Sequence, residues 1–283
     1  MQIVIQGPIY EGTIDTAHYY NQLDFVEKVI ISTWKPEVSL YYDNIDFVFS
    51  EPPVNEIDSP CRMNWQIVSS KAGIEHTSSD MVVKMRSDQR IDHQSMVMMN
   101  DFFLHHAYNE ISYTNGDGPE APIFALGLGC CMPYHPQDHV FWGYRKDLLK
   151  LFDIPLMDGK ILRVDDQFDH QLREPIYLGA HYYKHFDPNV QLHLDNFKEY
   201  LVDLAPKRQE AMDTYDKIRD KVFKVFPKIN LWWEKYNMTY PYGGYAEQGE
   251  YYADSIPTNY KCVKTNTTFK RTVEWHIKNK EIF

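Results

Sequence analysis

The sequence predicts an α/β fold with a mainly parallel central sheet in three layers, and three observations carry the prediction. Short apolar, β-branched runs near residues 3, 30, 47 and 84 alternate with helix-periodic stretches near 20 and 67, the pattern of successive βαβ units. The first run stops at Gly7-Pro8, which places a loop at a strand's carboxyl end, where open α/β sheets take their ligands. The run from Met81 to Asp88 begins apolar and ends in charge.

Taken in order, Gln2 to Ile5 is a short buried strand broken by Gln6-Gly7-Pro8. Asp15 or Thr16 caps a helix whose apolar face is Tyr19, Leu23 and Val26. Val29 to Trp34 and Asn44 to Phe49 are the second and third strands, the latter followed by Glu51-Pro52-Pro53. Ser59-Pro60 starts the next helix, with a hydroxyl at the cap and proline at the first helical position. That helix runs to about Glu75, with Met63, Ile67 and Ile74 on one apolar line and Trp65, Val68 and Ala72 beside it. Arg62, Asn64 and Gln66 fall in its first two turns, where backbone donors and the helix dipole favour an anion.

If residues 81–88 are extended, Met81, Val83 and Met85 share one face while Val82, Lys84, Arg86 and Asp88 share the other. Two cations and a carboxylate at the end of a strand suit a diphosphate and its metal ion, since magnesium and manganese commonly use one or two carboxylates plus substrate phosphates. A strand with an internal Lys–Asp or Arg–Asp pair needs no ligand at all, and the strand alone leaves both readings open.

Beyond it, residues 92–110 read as a helix through Met96, Val97, Met99, Phe102, Phe103 and Ala107, and Asn115 to Pro119 as a turn. Ile123 to Met132 reads as a strand whose Gly127 and Gly129 allow close approach. Val140 to Tyr144 is a strand and Lys146 to Phe152 a short helix. A long helix lies within Glu199 to Phe226, with Met212, Tyr215, Ile218, Val222 and Val225 on one line, and Phe269 to Ile277 is strand-like. The expected division is a sheet domain over 1–190 and a helical, irregular extension over 191–283 packed on it.

Composition narrows the function. A formal net charge of −11 argues against a nucleic-acid or polybasic membrane-surface protein. A phosphate-bearing ligand must then be met locally, which singles out Lys84 and Arg86. Aromatics reach 15%, with 21 Tyr, a composition that allows stacking on sugars or bases. There is no G-x-G-x-x-G after the first strand and no G-x-x-x-x-G-K-[ST] anywhere, so a dinucleotide dehydrogenase and a P-loop NTPase are disfavoured. No apolar run approaches the ~18 residues a membrane span needs, and the N-terminus shows no signal peptide. The Cys130-Cys131 pair and the other cysteines have no metal-site spacing, so reduced thiols in a cytoplasmic protein are expected.

Ile3 to Pro8, Ile30 to Trp34, Asn64 to Gly73 and Lys84-Met85-Arg86-Ser87-Asp88 resemble the WavE-type lipopolysaccharide-biosynthesis proteins. The similarity continues through Tyr134 to Gly143 and Arg173 to Gly179, covering roughly the first 185 residues in the same order. These proteins are regarded as glycosyltransferases of the nucleotide-diphospho-sugar (GT-A) fold. The resemblance implies a cytoplasmic glycosyltransferase, hexosyl or pentosyl, whose partners are a nucleotide-sugar donor (UDP-, GDP- or similar) and a glycan acceptor. It also implies a divalent metal, manganese or magnesium, held by an Asp-x-Asp motif. Here that motif reads Arg86-Ser87-Asp88, so one carboxylate is missing and Lys84 or Arg86 is left to neutralise part of the charge.

The expected site follows. Gln6, Gly7, Pro8, Arg62, Asn64, Lys84 and Arg86 contact the donor, and Asp88 holds the metal. Glu174 or Asp138, each expected in an aromatic-lined loop remote from the cations, is the acceptor-side base; Asp165 and Asp166 are weaker choices. His135, His139, His181 and His185 read as surface or acceptor-cleft residues, and Trp232-Trp233 as core cover. Two other classes remain: a sugar-nucleotide-forming nucleotidyltransferase, which would want a Gly-rich basic loop after the first strand, and a non-catalytic glycan-binding protein.

Overall fold

The computed structural model describes residues 1–34, 42, 44–53, 63–110, 122–128, 134–157, 167–190, 206–226, 229–233 and 238–242. In chain order these form β1 (Gln2–Gln6), α1 (Thr13–Tyr20), β2 (Lys28–Trp34), β3 (Ile45–Ser50), α2 (Met63–His76), β4 (Met81–Arg86), β5 (Gln89–Ile91) and α3 (His93–Glu110). They continue as β6 (Ile123–Ala125), β7 (Val140–Tyr144), α4 (Arg145–Phe152), α5 (Gln167–Tyr183), α6 (Pro206–Val222), β8 (Phe223–Val225), β9 (Ile229–Trp233) and β10 (Met238–Tyr242).

A seven-stranded sheet in the order β3-β2-β1-β4-β7-β6-β8 forms the middle layer. β2 and β4 both pair parallel to β1, so Ser32, Gln6 and Arg86 line up at one carboxyl edge. β7 runs antiparallel to both β4 and β6. β1, β2, β4 and β7 are buried on both faces, as their near-continuous apolar runs require. Val4, Ile30, Val82 and Phe141 face a core closed by α2, α4, α5 and α6. Ile3, Ile5, Ile31, Val83, Met85 and Trp142 face a second core closed by α1 and α3. The expected α/β architecture and its parallel sheet are thus present.

Three expectations are corrected. The strand expected over 81–88 stops at Arg86, because Ser87 and Asp88 turn the chain into β5. The helix expected to reach Val225 ends at Val222: Tyr215 and Val222 are buried on its apolar line, but Phe223–Val225 is a strand parallel to β6. Beyond residue 190, β8 joins the main sheet beside β6, and β9 pairs with β5 as well as with β10. The short β6 fits only the start of the run expected over 123–132. Ser59, Pro60, Arg62, Cys130, Cys131, Asp165, Asp166 and Phe269 to Ile277 lie outside the described residues. Among the described residues, no helix is long and apolar enough to cross a membrane.

Candidate active site

Gly7 and Asp88 meet at the same edge of the sheet, as the βαβ pattern requires. The Gly7 N–H donates to the Ser32 carbonyl at 3.1 Å, and the Ser87 N–H donates to the Gln6 carbonyl at 2.9 Å. Gly7 has φ +128°, and a Cβ there would stand 2.6 Å from Ser87 Oγ, so glycine is needed for both conformation and space. Thr13 at the start of α1 was not singled out by its sequence setting. Its hydroxyl accepts from the Tyr10 N–H at 2.8 Å and donates to the Ser87 carbonyl at 3.0 Å. Pro8 is exposed beside this knot.

The turn holds a charged cluster. The Arg86 guanidinium grips Asp88 with both ends of its fork, Nε to Oδ1 at 2.9 Å and Nη2 to Oδ2 at 2.8 Å. Asp88 is 3% exposed and Arg86 33%. Burial works against the guanidinium's charge, but its hydrogen bonds to Asp88 and the charges of Asp88, Asp138 and Glu174 hold it protonated.

Lys84 is fully buried. Its Nζ donates to the Asp138 carbonyl at 2.7 Å and stands over the rings of Phe141 and Phe152. Burial drives its ammonium down to about 7, against the pull of Asp138 and Asp88. Lys84 is thus a strut under the Asp138 turn, and the expectation that it reaches a donor diphosphate is not met by its position. Gln66 Nε2 donates to the same carbonyl at 3.2 Å, so strand and helix pin that turn together.

Asp138 is itself buried, and it stands among the cations. Burial raises its carboxyl, but the charges of His139, Arg86 and Lys84 and a hydrogen bond from Gln66 outweigh it and leave it below the usual carboxylate range. Burial pushes His139 down to about 4 despite Asp138, so the imidazole is neutral at pH 7 and Arg86, with Lys84 only part-protonated there, carries that effect. Gln89 Nε2 lies 2.6 Å from His139 Nδ1. A base remote from the cations was expected, and Asp138 does not meet that description. Glu174 lies within α5, partly exposed, rather than in a loop. Its charge acts on Arg86, so it too belongs to the cluster.

Asn64 is corrected outright. It is 2% exposed, and its amide clamps the backbone of Met157, donating to the carbonyl at 3.0 Å and accepting from the N–H at 2.6 Å. It faces protein where a nucleotide was expected. Asn64→Ala leaves a buried donor and acceptor without this partner, so we expect a loss of about 2–4 kcal/mol in stability and unchanged nucleotide affinity, read by urea denaturation and calorimetry. Among the histidines, His185 is exposed, as expected. His135 is buried, which corrects its surface reading. His181 packs against Tyr177 with ring centroids 4.5 Å apart, and burial pushes it down to about 4. Trp232 is half-buried in β9 opposite Arg90, consistent with a covering role.

Among the described residues, no cluster of three or more His, Cys, Asp or Glu side chains could hold a metal ion. The carboxylate expected to bind one has both oxygens on Arg86. The site presents one carboxylate at the sheet edge, which is what magnesium or manganese uses when substrate phosphates supply further ligands.

Comparison with known proteins adds the rest. The chain is similar to the crystal structure of S. aureus TarS 1-349, at 8% identity and a TM-score of 0.33, covering 78% of this chain and 83% of that one. A structure of S. aureus TarS matches at 9% identity and a TM-score of 0.34, covering 85% of this chain and 60% of that one. No curated protein matches the sequence. The profile of the WavE lipopolysaccharide synthesis family matches residues 1–181, which span β1 to most of α5 and include the whole Arg86–Asp88–Asp138–Glu174 cluster. The chain belongs to the WavE lipopolysaccharide synthesis family.

Proposed function

We propose that this protein is a glycosyltransferase that moves a sugar from a nucleotide-diphosphate sugar to a glycan acceptor in cell-surface polysaccharide synthesis. The observation that carries the reading is the Arg86–Asp88 pair at the carboxyl edge of a parallel sheet, beside a Gly7 loop tied to Ser87. Family membership supports it. As the bond between sugar and diphosphate breaks, negative charge grows on the leaving diphosphate. A cation beside that diphosphate contributes most in the transition state, and Arg86, one-third exposed, supplies it in this reading. A divalent ion arriving with the diphosphate would take Asp88 as its protein ligand and add positive charge.

Glu174 is the acceptor-side base in this reading. It accepts the acceptor hydroxyl's proton as the new glycosidic bond forms, and it is more accessible than the buried, cation-depressed Asp138. The test is a thermal-shift panel of nucleoside diphosphates and their sugars, followed by a transfer assay. A matched donor in large excess should stabilise by about 2–4 kcal/mol. Glu174→Gln should bind donor normally and lose transfer by about 10²–10⁴-fold. Release of pyrophosphate in place of nucleoside diphosphate would reassign the protein as a nucleotidyltransferase, and glycan binding without any nucleotide response would make it a non-catalytic binder.

A further inference from the structure

We propose that Arg86 is a guard on Asp88, so that a divalent ion and the nucleotide diphosphate bind interdependently and a bare ion is kept off the site. The inference rests on the donor-site reading above and concerns how this chain's own residues meet the two ligands.

The pair is asymmetric. Asp88 is 3% exposed, whereas Arg86 is 33% exposed, so a solute meets the guanidinium before the carboxylate. Asp88 is also fixed by its backbone. The Ser87 N–H and carbonyl are bound to Gln6 and Thr13, and the strand after Asp88 is paired to β9. That same strand is held by the Tyr20 hydroxyl, which accepts from the Ile91 N–H at 2.7 Å. Only the guanidinium, at the end of a flexible side chain, can move without disturbing the sheet edge.

Carboxylate and phosphate offer the guanidinium the same two-pronged geometry, so they compete for it. When a diphosphate takes Arg86, Asp88 loses the cation that both neutralises it and covers its two oxygens. A buried carboxylate without a counter-charge is costly, and a divalent ion carried on the diphosphate relieves that cost. An ion arriving alone must instead expel Arg86 with no phosphate to receive it. Each ligand therefore prepares the site for the other, and the coupling is reciprocal by linkage.

The experiment titrates Mn²⁺ into the full chain by calorimetry, alone and with saturating UDP, GDP, ADP or CDP, and titrates each nucleotide in chelator and in Mn²⁺. The expected result is at least about tenfold tighter Mn²⁺ binding with the matching nucleotide, mirrored by an equal gain for the nucleotide in Mn²⁺. Arg86→Gln should bind Mn²⁺ without nucleotide, shrinking the coupling toward one. Asp88→Asn should keep nucleotide binding and lose the Mn²⁺ increment. Wild-type protein that binds Mn²⁺ equally with and without nucleotide, or nucleotide equally in chelator and Mn²⁺, overturns the guard while leaving the donor site standing. Failure of all four diphosphates to bind under either condition removes the donor-site reading itself, and the guard with it. Where Arg86→Gln is poorly folded, Arg86→Lys, which keeps the charge and loses the two-pronged grip, takes its place; coupling as large as in wild type in a folded Arg86 variant overturns the guard.

Discussion

Gly179→Ala is expected to destabilise the protein by about 3 kcal/mol, at the upper end for an added methylene in a packed interior. A Cβ at Gly179 would lie 2.0 Å from the Tyr134 carbonyl oxygen, 3.0 Å from its carbonyl carbon and 2.6 Å from Pro136 Cδ. Two of those atoms are backbone, so no side chain can swing away. The 134–137 segment cannot easily retreat either: Pro136 bridges to Leu128, and the Gln137 N–H donates to the Gly127 carbonyl at 2.8 Å. The strain must therefore displace α5, and α5 carries Glu174. Urea denaturation should show a lower midpoint with an unchanged slope, and transfer should fall even in the protein that remains folded. A variant as stable as wild type would mean that α5 does not cross the Tyr134 segment at Gly179.

Lys84→Met should stabilise the protein at pH 6, with a gain that fades as the pH rises. Lys84 is wholly enclosed, and burial lowers its folded-state value to about 7, whereas in the unfolded chain it titrates near 10.4. The depressed value means that the unfolded chain binds more protons between those limits, so this lysine's contribution to stability rises with pH there. Its cost is full below about pH 7 and is relieved by about 1.4 kcal/mol per pH unit up to about 10. Methionine has similar length and carries no charge to desolvate. What it loses is the hydrogen bond to the Asp138 carbonyl, worth about 1 kcal/mol, and Gln66 still donates there. Melting temperatures of both proteins at pH 6 and pH 9.5 check the sign and the slope. A stability difference between the two proteins that is the same at pH 6 and pH 9.5 would show that the ammonium is not desolvated as its burial requires. Transfer should drop in the variant at every pH, because the Asp138 turn loses one of its two struts.

The architecture was legible because secondary structure is written in short-range periodicity. Ile3, Val4 and Ile5 are apolar on both faces of β1, as are Val82 and Val83 in β4, and both strands lie between two buried cores. Strands doubly buried and separated by helices leave a parallel sheet as the natural arrangement. The meeting of Gly7 with the Ser87–Asp88 turn follows from the same logic, since parallel neighbours bring their carboxyl ends to one edge.

The partners of polar side chains are not periodic, and tertiary structure alone decided them. Asn64 at the start of a helix looks like an anion ligand until Met157, far along the chain, presents its backbone to it. Lys84 and Arg86 share a face of β4, yet the fold encloses one beneath Phe141 and Phe152 and leaves the other partly exposed with Asp88. The sequence by itself determined the strands and helices from β1 to β4, together with α3, β7 and α4, and that the run of β4 ends in charge. Only the packed chain decided that β7 enters antiparallel, bringing Asp138 against Lys84, and that α5 brings Glu174 toward Arg86. The physical reason is that a local pattern specifies which face of an element is apolar, whereas a charge's role depends on which opposite charge stands nearest and how much water remains between them.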